Sequence, residues 1–126
     1  MDVKQLKFEN ATFDVVIDKS LLDAMVCGDG AVENIGRMMS EIYRVLTPEG
    51  SYFCISHARG SHRKKYLKNL KKYNWKYHKT PIPKPGLGSS FKPYKPTLDD
   101  EKDKKHVHFV YKMKKQTTKV VDSDLD

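Results

Sequence analysis

The chain has 126 residues, a formal net charge of +8 and 38% hydrophobic residues, which suffices for one small domain with a modest core. It contains no apolar stretch long enough for a transmembrane helix and no secretory signal at its start, so we expect a cytoplasmic protein without a membrane partner. Cys27 and Cys54 lack any metal-binding or disulfide spacing, which predicts two buried free thiols and no metal site.

The positive charge is concentrated in one segment of the chain. Residues 1–58 carry 5 basic and 9 acidic side chains, and residues 96–126 carry 7 of each sign. Residues 59–95, in contrast, carry 12 Lys or Arg and no Asp or Glu. A surface of this kind favours an acidic partner, which can be a protein or a nucleic acid.

The first half of the chain predicts a strand, a helix and a second strand. Residues 13–17 form an apolar run broken by Asp14, as in a strand that is buried on both faces. Apolar residues recur at helical spacing over 31–46, and TPEG at 47–50 predicts a turn before a second buried strand at 51–56. This order predicts a right-handed parallel crossover.

The second half predicts a helix, two strands and a long irregular connection. An apolar stripe surrounded by lysines indicates a surface helix over 62–74. Strands are predicted at 74–78 and 106–113, and residues 81–96 between them hold all but one of the 6 prolines, which predicts a flexible rim. We therefore expect one folded domain over 1–115 and a disordered tail over 116–126.

Several of these stretches together carry a family pattern. They are MDVKQLKF, FDVVIDKSLLDAM, SEIYRVLTPEGSYFCIS, GSHRKKYL, WKYH and HVHFVYKM. In this order they resemble the C-terminal half of a seven-stranded S-adenosylmethionine-dependent methyltransferase, and the last three resemble the protein-lysine methyltransferases that modify translation elongation factor 1-alpha. The resemblance implies an α/β fold with a partial Rossmann-like sheet, strands 4 to 7 of the family order 3-2-1-4-5-7-6.

The resemblance also implies where the cofactor S-adenosylmethionine would bind. Ligands of such sheets lie beyond the carboxyl ends of the strands, and Asp18, Lys19 and Ser20 end the first predicted strand. By resemblance, Asp2 and Val3 contact the adenine, and the segment from Asp18 to Ser20 faces the methyl donor. Asp18 is the candidate catalytic residue, because its carboxylate could orient the amine of a target lysine.

Candidate substrate-binding residues follow the second predicted strand. His57 and His62 flank its end, and His57 is also a candidate general base. Lys84, Lys92 and Lys95 lie in the basic connection, where we expect them to steer an acidic patch of a protein substrate. The resemblance implies that this substrate is elongation factor 1-alpha.

The sequence contains no strand that leads through a glycine-rich loop into a helix, since neither GDG at 28–30 nor LGSS at 87–90 follows a buried strand. We therefore expect the chain by itself to bind S-adenosylmethionine weakly and to be inactive. Three explanations stay open: a truncated product, a second chain that supplies the N-terminal half, or a pseudoenzyme that serves as an interaction domain. Without the missing half, the strand at 13–17 would be an exposed edge that favours pairing or aggregation.

A binding module for nucleic acid or for an acidic protein is the alternative function. Aromatic residues alternate with the cations of residues 59–95, as in grooves that bind single strands by stacking. They are Tyr66, Tyr73, Trp75, Tyr77, Phe91 and Tyr94. No recognised nucleic-acid motif accompanies them, so a protein partner is favoured over a nucleic acid.

Overall fold

The computed structural model describes residues 2–69, 72–85, 94–97 and 99–117. In these ranges the strands are β1 (Phe13–Lys19), β2 (Leu46–Ser56), β3 (Trp75–Pro83) and β4 (Val107–Lys115). The helices are α1 (Leu21–Val26), α2 (Ala31–Val45), α3 (Gly60–Leu67) and α4 (Asp100–Asp103). None of these helices is long and apolar enough to cross a membrane.

The strands form one mixed sheet in the order β1-β2-β4-β3. β1 and β2 are parallel, whereas β4 pairs antiparallel with both β2 and β3. This order corresponds to the 4-5-7-6 part of the family order, so the predicted partial Rossmann-like α/β sheet is confirmed.

The strand directions bring several chain segments to one edge of the sheet, which we call the carboxyl edge. Because β4 runs against β2 and β3, its amino end lies beside their carboxyl ends, and β1 ends beside β2. The partner pairs that define this edge are Asp18 with Cys54, Ser56 with Phe109, and Pro83 with Val107. The residues that follow β1, β2 and β3 therefore converge here, as ligand-binding loops do in α/β sheets.

The helix α2 covers the sheet with a continuous apolar face. Its fully or nearly fully buried residues recur at helical spacing: Ile35, Met38, Met39, Ile42 and Val45. Burial of each such side chain contributes about 1.5–3 kcal/mol to folding. The predicted helix at 31–46 is confirmed to within one residue.

The C-terminal half of α2 packs on an aromatic cluster. Tyr73 and Trp75 lie 4.9 Å apart between ring centroids, and Tyr43 lies 5.4 Å from Trp75. The indole Nε1–H of Trp75 donates to the carbonyl of Leu67 at 2.8 Å, so the buried ring leaves no unsatisfied donor. This cluster ties α2 to β3 and to the end of α3.

The TPEG segment is a bulge inside β2 rather than a turn before it. Phe13 pairs with Leu46 but Val15 pairs with Ser51, so the residues between them on β2 are extra to the register. Glu49 has a φ of 68°, and a Cβ at Gly50 would lie 2.9 Å from the Thr47 carbonyl oxygen. The prediction of a strand at 51–56 is confirmed within the longer β2.

The helix predicted over 62–74 is shorter and begins earlier, at Gly60–Leu67. Tyr73 is buried as its place on the apolar stripe predicted, but it lies outside the helix, next to β3. The chain leaves the helix at Lys68 with φ −98° and ψ 67°, where the Leu67 carbonyl accepts its bond from Trp75. Tertiary packing of the indole therefore overrides the helical pattern.

The strand β3 extends further than predicted, into the proline-rich segment. It reaches Pro83, so Pro81 and Pro83 belong to a strand and not to a flexible rim. β3 is the outer strand of the described sheet. A proline, which has no N–H, is tolerated there because one side of the strand has no neighbour that needs a hydrogen bond. The short helix α4 also lies in the connection that was expected to be irregular.

The strand β1 is not buried on both faces, so that prediction is wrong for the described residues. Val15 is 51% exposed and Ile17 is 67% exposed, whereas Asp18 on the opposite face is buried.

The prediction of two buried thiols is half wrong, because Cys27 is exposed and only Cys54 is buried. The tail predicted over 116–126 lies outside the described residues from position 118 onward.

Candidate functional site

Asp18 at the end of β1 faces the protein interior. Its Oδ1 accepts the Leu21 N–H at 2.7 Å, and its Oδ2 accepts the Leu22 N–H at 3.2 Å and the Tyr52 hydroxyl at 3.0 Å. The carboxylate thereby satisfies two free N–H groups in the first turn of α1. A direct contact with a substrate amine would compete with these bonds, so the structure places Asp18 as a positioning residue for α1.

The residues beside Asp18 are open to solvent. Lys19 and Ser20 are exposed, and the Ser20 N–H donates to the Ile55 carbonyl at 2.9 Å. Ser20 has a φ of 67°, in the left-handed region that glycine adopts more readily. The corner between β1 and α1 is thus held in a strained conformation by bonds to β2.

A cavity of about 390 Å³ lies between α1 and the N-terminal segment. It brings together Asp2 and Val3 with Leu21 and Met25 of α1. The Asp2 carboxylate is exposed and accepts the N–H of Lys4 at 2.9 Å, and Val3 packs on the core. The cavity lining therefore combines apolar side chains with polar ones, which include Lys4, Asp29 and Asn34.

A second acid, Asp23 in α1, forms a polar cluster at the carboxyl edge. Its Oδ1 accepts bonds from the Ser56 hydroxyl and from Nε of Arg63, the latter at 3.0 Å. Its Oδ2 accepts the His57 N–H at 3.1 Å and lies 2.7 Å from His57 Nδ1. One carboxylate therefore links α1, the end of β2 and α3.

The charge of Asp23 is stabilised in this cluster. Burial alone would raise the pKa of Asp23, but the bonds from Ser56, from the His57 N–H and from Arg63 outweigh burial and lower it. Arg63 and Asp23 have side chains that are 8% and 6% exposed, so water screens their attraction little. Asp23 is therefore ionised at neutral pH.

The buried thiol of Cys54 lies next to this cluster. Its Sγ lies 3.8 Å from Asp18 Oδ2, and burial, followed by the negative charge of Asp18, raises the pKa of the thiol to about 12. Such a thiol stays protonated at neutral pH and is a poor nucleophile. The chemistry of this edge therefore does not depend on cysteine.

The predicted substrate-binding residues occupy different parts of the carboxyl edge. His57 follows β2 directly and is exposed, while His62 in α3 contacts Nη2 of Arg59 through its Nε2 at 2.9 Å. Lys84 follows β3, and its N–H donates to the His106 carbonyl at 2.9 Å. Lys95 is exposed, and Lys92 lies outside the described residues.

Part of the positive charge of residues 59–95 is neutralised within the chain. Arg63 pairs with Asp23, as described above, and Arg59 pairs with Glu101 of α4. Lys79 of β3 lies 2.7 Å from both carboxylate oxygens of Asp100. The acidic α4 therefore reduces the charge that this surface presents to a partner.

The aromatic residues that supported a nucleic-acid site are mostly inside the protein. Tyr73, Trp75 and Tyr77 are 4%, 0% and 3% exposed, so they offer no face for base stacking. Tyr94 stacks on His106 at 4.3 Å between ring centroids. Phe91 lies outside the described residues. The described part of the segment therefore lacks the row of exposed rings that single-strand binding uses.

The sequence interpretation missed Asp23, Ser56 and Arg63 as members of the site. Asp23 stands in the stretch FDVVIDKSLLDAM, five positions after Asp18, and its spacing could have placed it in the first turn of a helix. Nothing local marks Arg63, because its neighbours on α3 are mostly cations. Its partner lies 40 positions away, and only the fold brings the two together.

Comparisons with known proteins agree with this fold. Residues 1–54 match a family model described as a methyltransferase domain. Over these residues the chain is similar to a methyltransferase domain. The predicted resemblance to S-adenosylmethionine-dependent methyltransferases is thereby confirmed.

Curated relatives are similar to a larger part of this chain. The mouse eEF1A lysine and N-terminal methyltransferase is 40% identical over 77 residues, which are 60% of this chain and 11% of the relative. The mouse EEF1A lysine methyltransferase 4 is 32% identical over 88 residues, which are 64% of this chain and 34% of the relative. The chain therefore spans between a tenth and about a third of the length of these relatives.

A solved structure shows the same fold. The SAM-dependent methyltransferase from Methanosarcina mazei superimposes with a TM-score of 0.55 and 12% sequence identity. The match covers 94% of this chain and 66% of the solved chain. At this identity the similarity concerns the fold alone.

Proposed function

We propose that this chain forms the substrate side of a cytoplasmic S-adenosylmethionine-dependent protein-lysine methyltransferase. The observation that carries the proposal is the convergence of Asp18, Asp23 and His57 at the carboxyl edge of a methyltransferase sheet. The relatives named as eEF1A lysine methyltransferases support lysine as the acceptor.

The residues around α1 fit the cofactor. Asp2 and Val3 would hold the adenine in the cavity beside Leu21 and Met25, and Lys19 and Ser20 would border the methyl donor. When bound, S-adenosylmethionine supplies an electrophilic methyl group. Asp18 acts through α1, because its carboxylate fixes the backbone of Leu21 and Leu22 next to that cavity.

The contribution of the protein to such a reaction is positioning and control of the amine proton. Holding an amine and a methyl group in a near-attack geometry supplies on the order of 7 kcal/mol or more in well-oriented cases. The target lysine must also be neutral, and an environment of low polarity favours the neutral form. His57 and His62 would border the lysine, with Lys84, Lys92 and Lys95 as a basic rim toward an acidic patch of the substrate.

The protein substrate is proposed to be elongation factor 1-alpha. The chain alone is expected to transfer methyl groups poorly, because its sequence contains no glycine-rich loop to hold the rest of the cofactor. A polypeptide that carries the first half of a methyltransferase domain, encoded together with this chain or as a separate chain, would complete the sheet at β1.

A reconstitution assay tests this function. The chain is incubated with labelled S-adenosylmethionine and purified elongation factor 1-alpha, with and without the first half of the methyltransferase domain of mouse EEF1A lysine methyltransferase 4. We expect methyl groups on lysine in the complemented mixture and few with the chain alone. The complementing half without this chain is the control, and mass spectrometry locates the methylated residue.

The outcomes separate this function from its alternatives. A complemented mixture that binds S-adenosylmethionine but methylates no lysine would contradict the enzyme and leave an interaction domain. Tight binding of single-stranded RNA that weakens steeply with salt would instead support the nucleic-acid module. We expect RNA binding to be weak, because the central aromatic residues of the basic segment are buried.

A further inference from the structure

The side chain of His57 combines exposure with a fixed orientation. It is 69% exposed, yet its Nδ1 lies 2.7 Å from Oδ2 of the buried Asp23. The backbone N–H of His57 donates to the same oxygen at 3.1 Å. An exposed imidazole normally samples several rotamers, whereas this one is held at two points by a single carboxylate.

The bond to Asp23 determines which ring nitrogen carries the proton. An ionised carboxylate can only accept hydrogen bonds, so Nδ1 must be the donor. In the neutral ring, Nε2 then keeps its lone pair and is the acceptor. The structure thus presents an acceptor nitrogen on the exposed side of a ring at the carboxyl edge.

The backbone around His57 is anchored as well. The Ser56 hydroxyl donates to Asp23 and accepts the N–H of Ala58 at 3.0 Å. The Ala58 carbonyl accepts the hydroxyl of Tyr111 in β4. The ring is therefore carried by a short segment that is fixed on both sides, which is a requirement for a group that must meet a reacting atom.

We propose that Nε2 of His57 accepts the proton of the primary ammonium group that enters this edge, with Asp23 as its positioning residue. The proposal rests on the function proposed above, in which that ammonium belongs to a target lysine. The N–H bond of the ammonium breaks, the proton forms a bond to Nε2, and the electron pair stays on the amine nitrogen. The exposed imidazolium then returns the proton to water.

The ionisable groups around the ring suit this transfer. Asp23 approaches from α1 and Arg63 from α3, and Arg63 binds the Oδ1 oxygen that His57 does not use. Arg63 keeps Asp23 ionised, so Asp23 remains an acceptor while the ring gains and loses a proton. Asp23 thus stabilises the imidazolium without taking up the proton itself.

Nuclear magnetic resonance of the full chain tests the proposal without cofactor or substrate. The ¹⁵N shifts of the ring report which nitrogen is protonated, and n-butylamine hydrochloride serves as the ammonium probe. We expect the Nδ1–H form of His57, and a shift of its Nε2 resonance when the probe is added. A predominantly Nε2–H ring, or an Nε2 resonance that ignores the probe, would overturn the proposal.

Matched variants separate proton acceptance from a structural role. Asn in His57→Asn can keep the donor toward Asp23 but lacks the outer nitrogen, and His57 is exposed enough for the variant to fold. Asp23→Asn should shift the ring toward the other tautomer and reduce the response to the probe severalfold. His78→Asn is the control, since His78 is an exposed histidine of β3, and it should leave the response of His57 unchanged.

The same variants in the reconstituted enzyme distinguish this proposal from the proposed function. We expect His57→Asn to lower kcat at pH 7 with little change in KM, and the loss to shrink as the pH rises toward the lysine pKa near 10.4. Equal kcat for wild type and His57→Asn at every pH would overturn the proton role alone. If the wild type methylates no lysine but its His57 Nε2 resonance still shifts with n-butylamine hydrochloride, only the proposed function is contradicted.

Discussion

Asp23 of α1 and Arg63 of α3 form a buried ion pair, in which Oδ1 lies 3.0 Å from Nε across 40 positions of sequence. The pair is completed by Ser56 and His57, so each polar group in it has a partner. Replacing one member of such a pair leaves the other charge buried without compensation, which costs more than the pair itself contributes.

We expect Asp23→Asn to lower the free energy of unfolding by about 3 kcal/mol at pH 7. Urea denaturation followed by circular dichroism measures the loss. Asp14→Asn is the control, because Asp14 is exposed and accepts a bond only from the Thr47 hydroxyl among the side-chain contacts described. An equal decrease in the free energy of unfolding of the two variants would show that the buried pair contributes no more than an exposed carboxylate.

The effect of Asp23→Asn should depend on pH. The pKa of Asp23 is lowered from the ordinary 3.8, because its hydrogen bonds outweigh burial, so the native state binds fewer protons than the unfolded state in this range. The stabilisation by Asp23 is therefore fully present above about pH 5 and is lost as the pH falls through the lowered pKa. The stabilities of wild type and variant should converge toward acid pH, and a constant difference would contradict this origin.

Ser20 offers a way to stabilise the chain. Its φ of 67° places a side chain in the left-handed region, which costs roughly 1 kcal/mol for a residue with a Cβ. We expect Ser20→Gly to raise the free energy of unfolding by up to about 1 kcal/mol. Ser20→Ala keeps the Cβ and should leave the free energy of unfolding unchanged. Thermal unfolding of both variants and of the wild type measures the difference. A gain with alanine as large as that with glycine would argue against strain at this position.

Two glycines of the chain should respond to alanine in opposite directions. A Cβ at Gly50 would lie 2.9 Å from the Thr47 carbonyl and 3.2 Å from that of Asp14, both backbone atoms. We expect Gly50→Ala to cost about 1–3 kcal/mol through this overlap. At Gly36 inside α2 nothing lies within 4 Å of the added Cβ, and alanine should stabilise the helix by about 0.5–1 kcal/mol. Chemical denaturation measures the free energy of unfolding of both variants. An unchanged value for Gly50→Ala would mean that the backbone of the bulge shifts to accommodate the Cβ.

The exposed face of β1 should promote self-association of the isolated chain. Val15 and Ile17 are 51% and 67% exposed on a strand that lies at the border of the described sheet. Apolar edges of this kind pair with other strands. We expect the chain to form oligomers in light scattering and the double variant Val15→Lys with Ile17→Lys to reduce them. Val32→Lys, at an exposed position of α2, is the control and should not change the oligomeric state. A monodisperse wild-type monomer would contradict the prediction.

The basic rim should act on association with the substrate and not on the chemical step. Replacing Lys84, Lys92 and Lys95 with glutamine in the reconstituted enzyme should raise KM for elongation factor 1-alpha severalfold at low salt and leave kcat unchanged. The difference should vanish at high salt, where exposed charges are screened. The same replacements at Lys7, Lys112 and Lys114, which lie outside this segment, serve as the control. An unchanged KM at low salt would mean that the rim is only a solvated surface.

Elements whose pattern is local, and their order along the chain, could be predicted without the structure. The apolar spacing over 31–46 predicted α2 to within one residue, and two apolar runs predicted β1 and β2, because side-chain periodicity depends only on neighbours in the chain. The predicted strands also placed Asp18 at the end of the first strand and His57 just after the second. The fold that the resemblance implied brings those ends to one edge.

The contacts of those side chains depend on the folded chain and could not be predicted from local patterns. The pattern of 62–74 predicted a long helix, but burial of Trp75 ended it at Leu67. Asp18 was predicted to face a substrate, whereas the N–H groups of α1 turn its carboxylate inward. Asp23 and Arg63 carry no local sign of their pairing, because a buried ion pair depends on which distant segments the sheet brings within bonding distance.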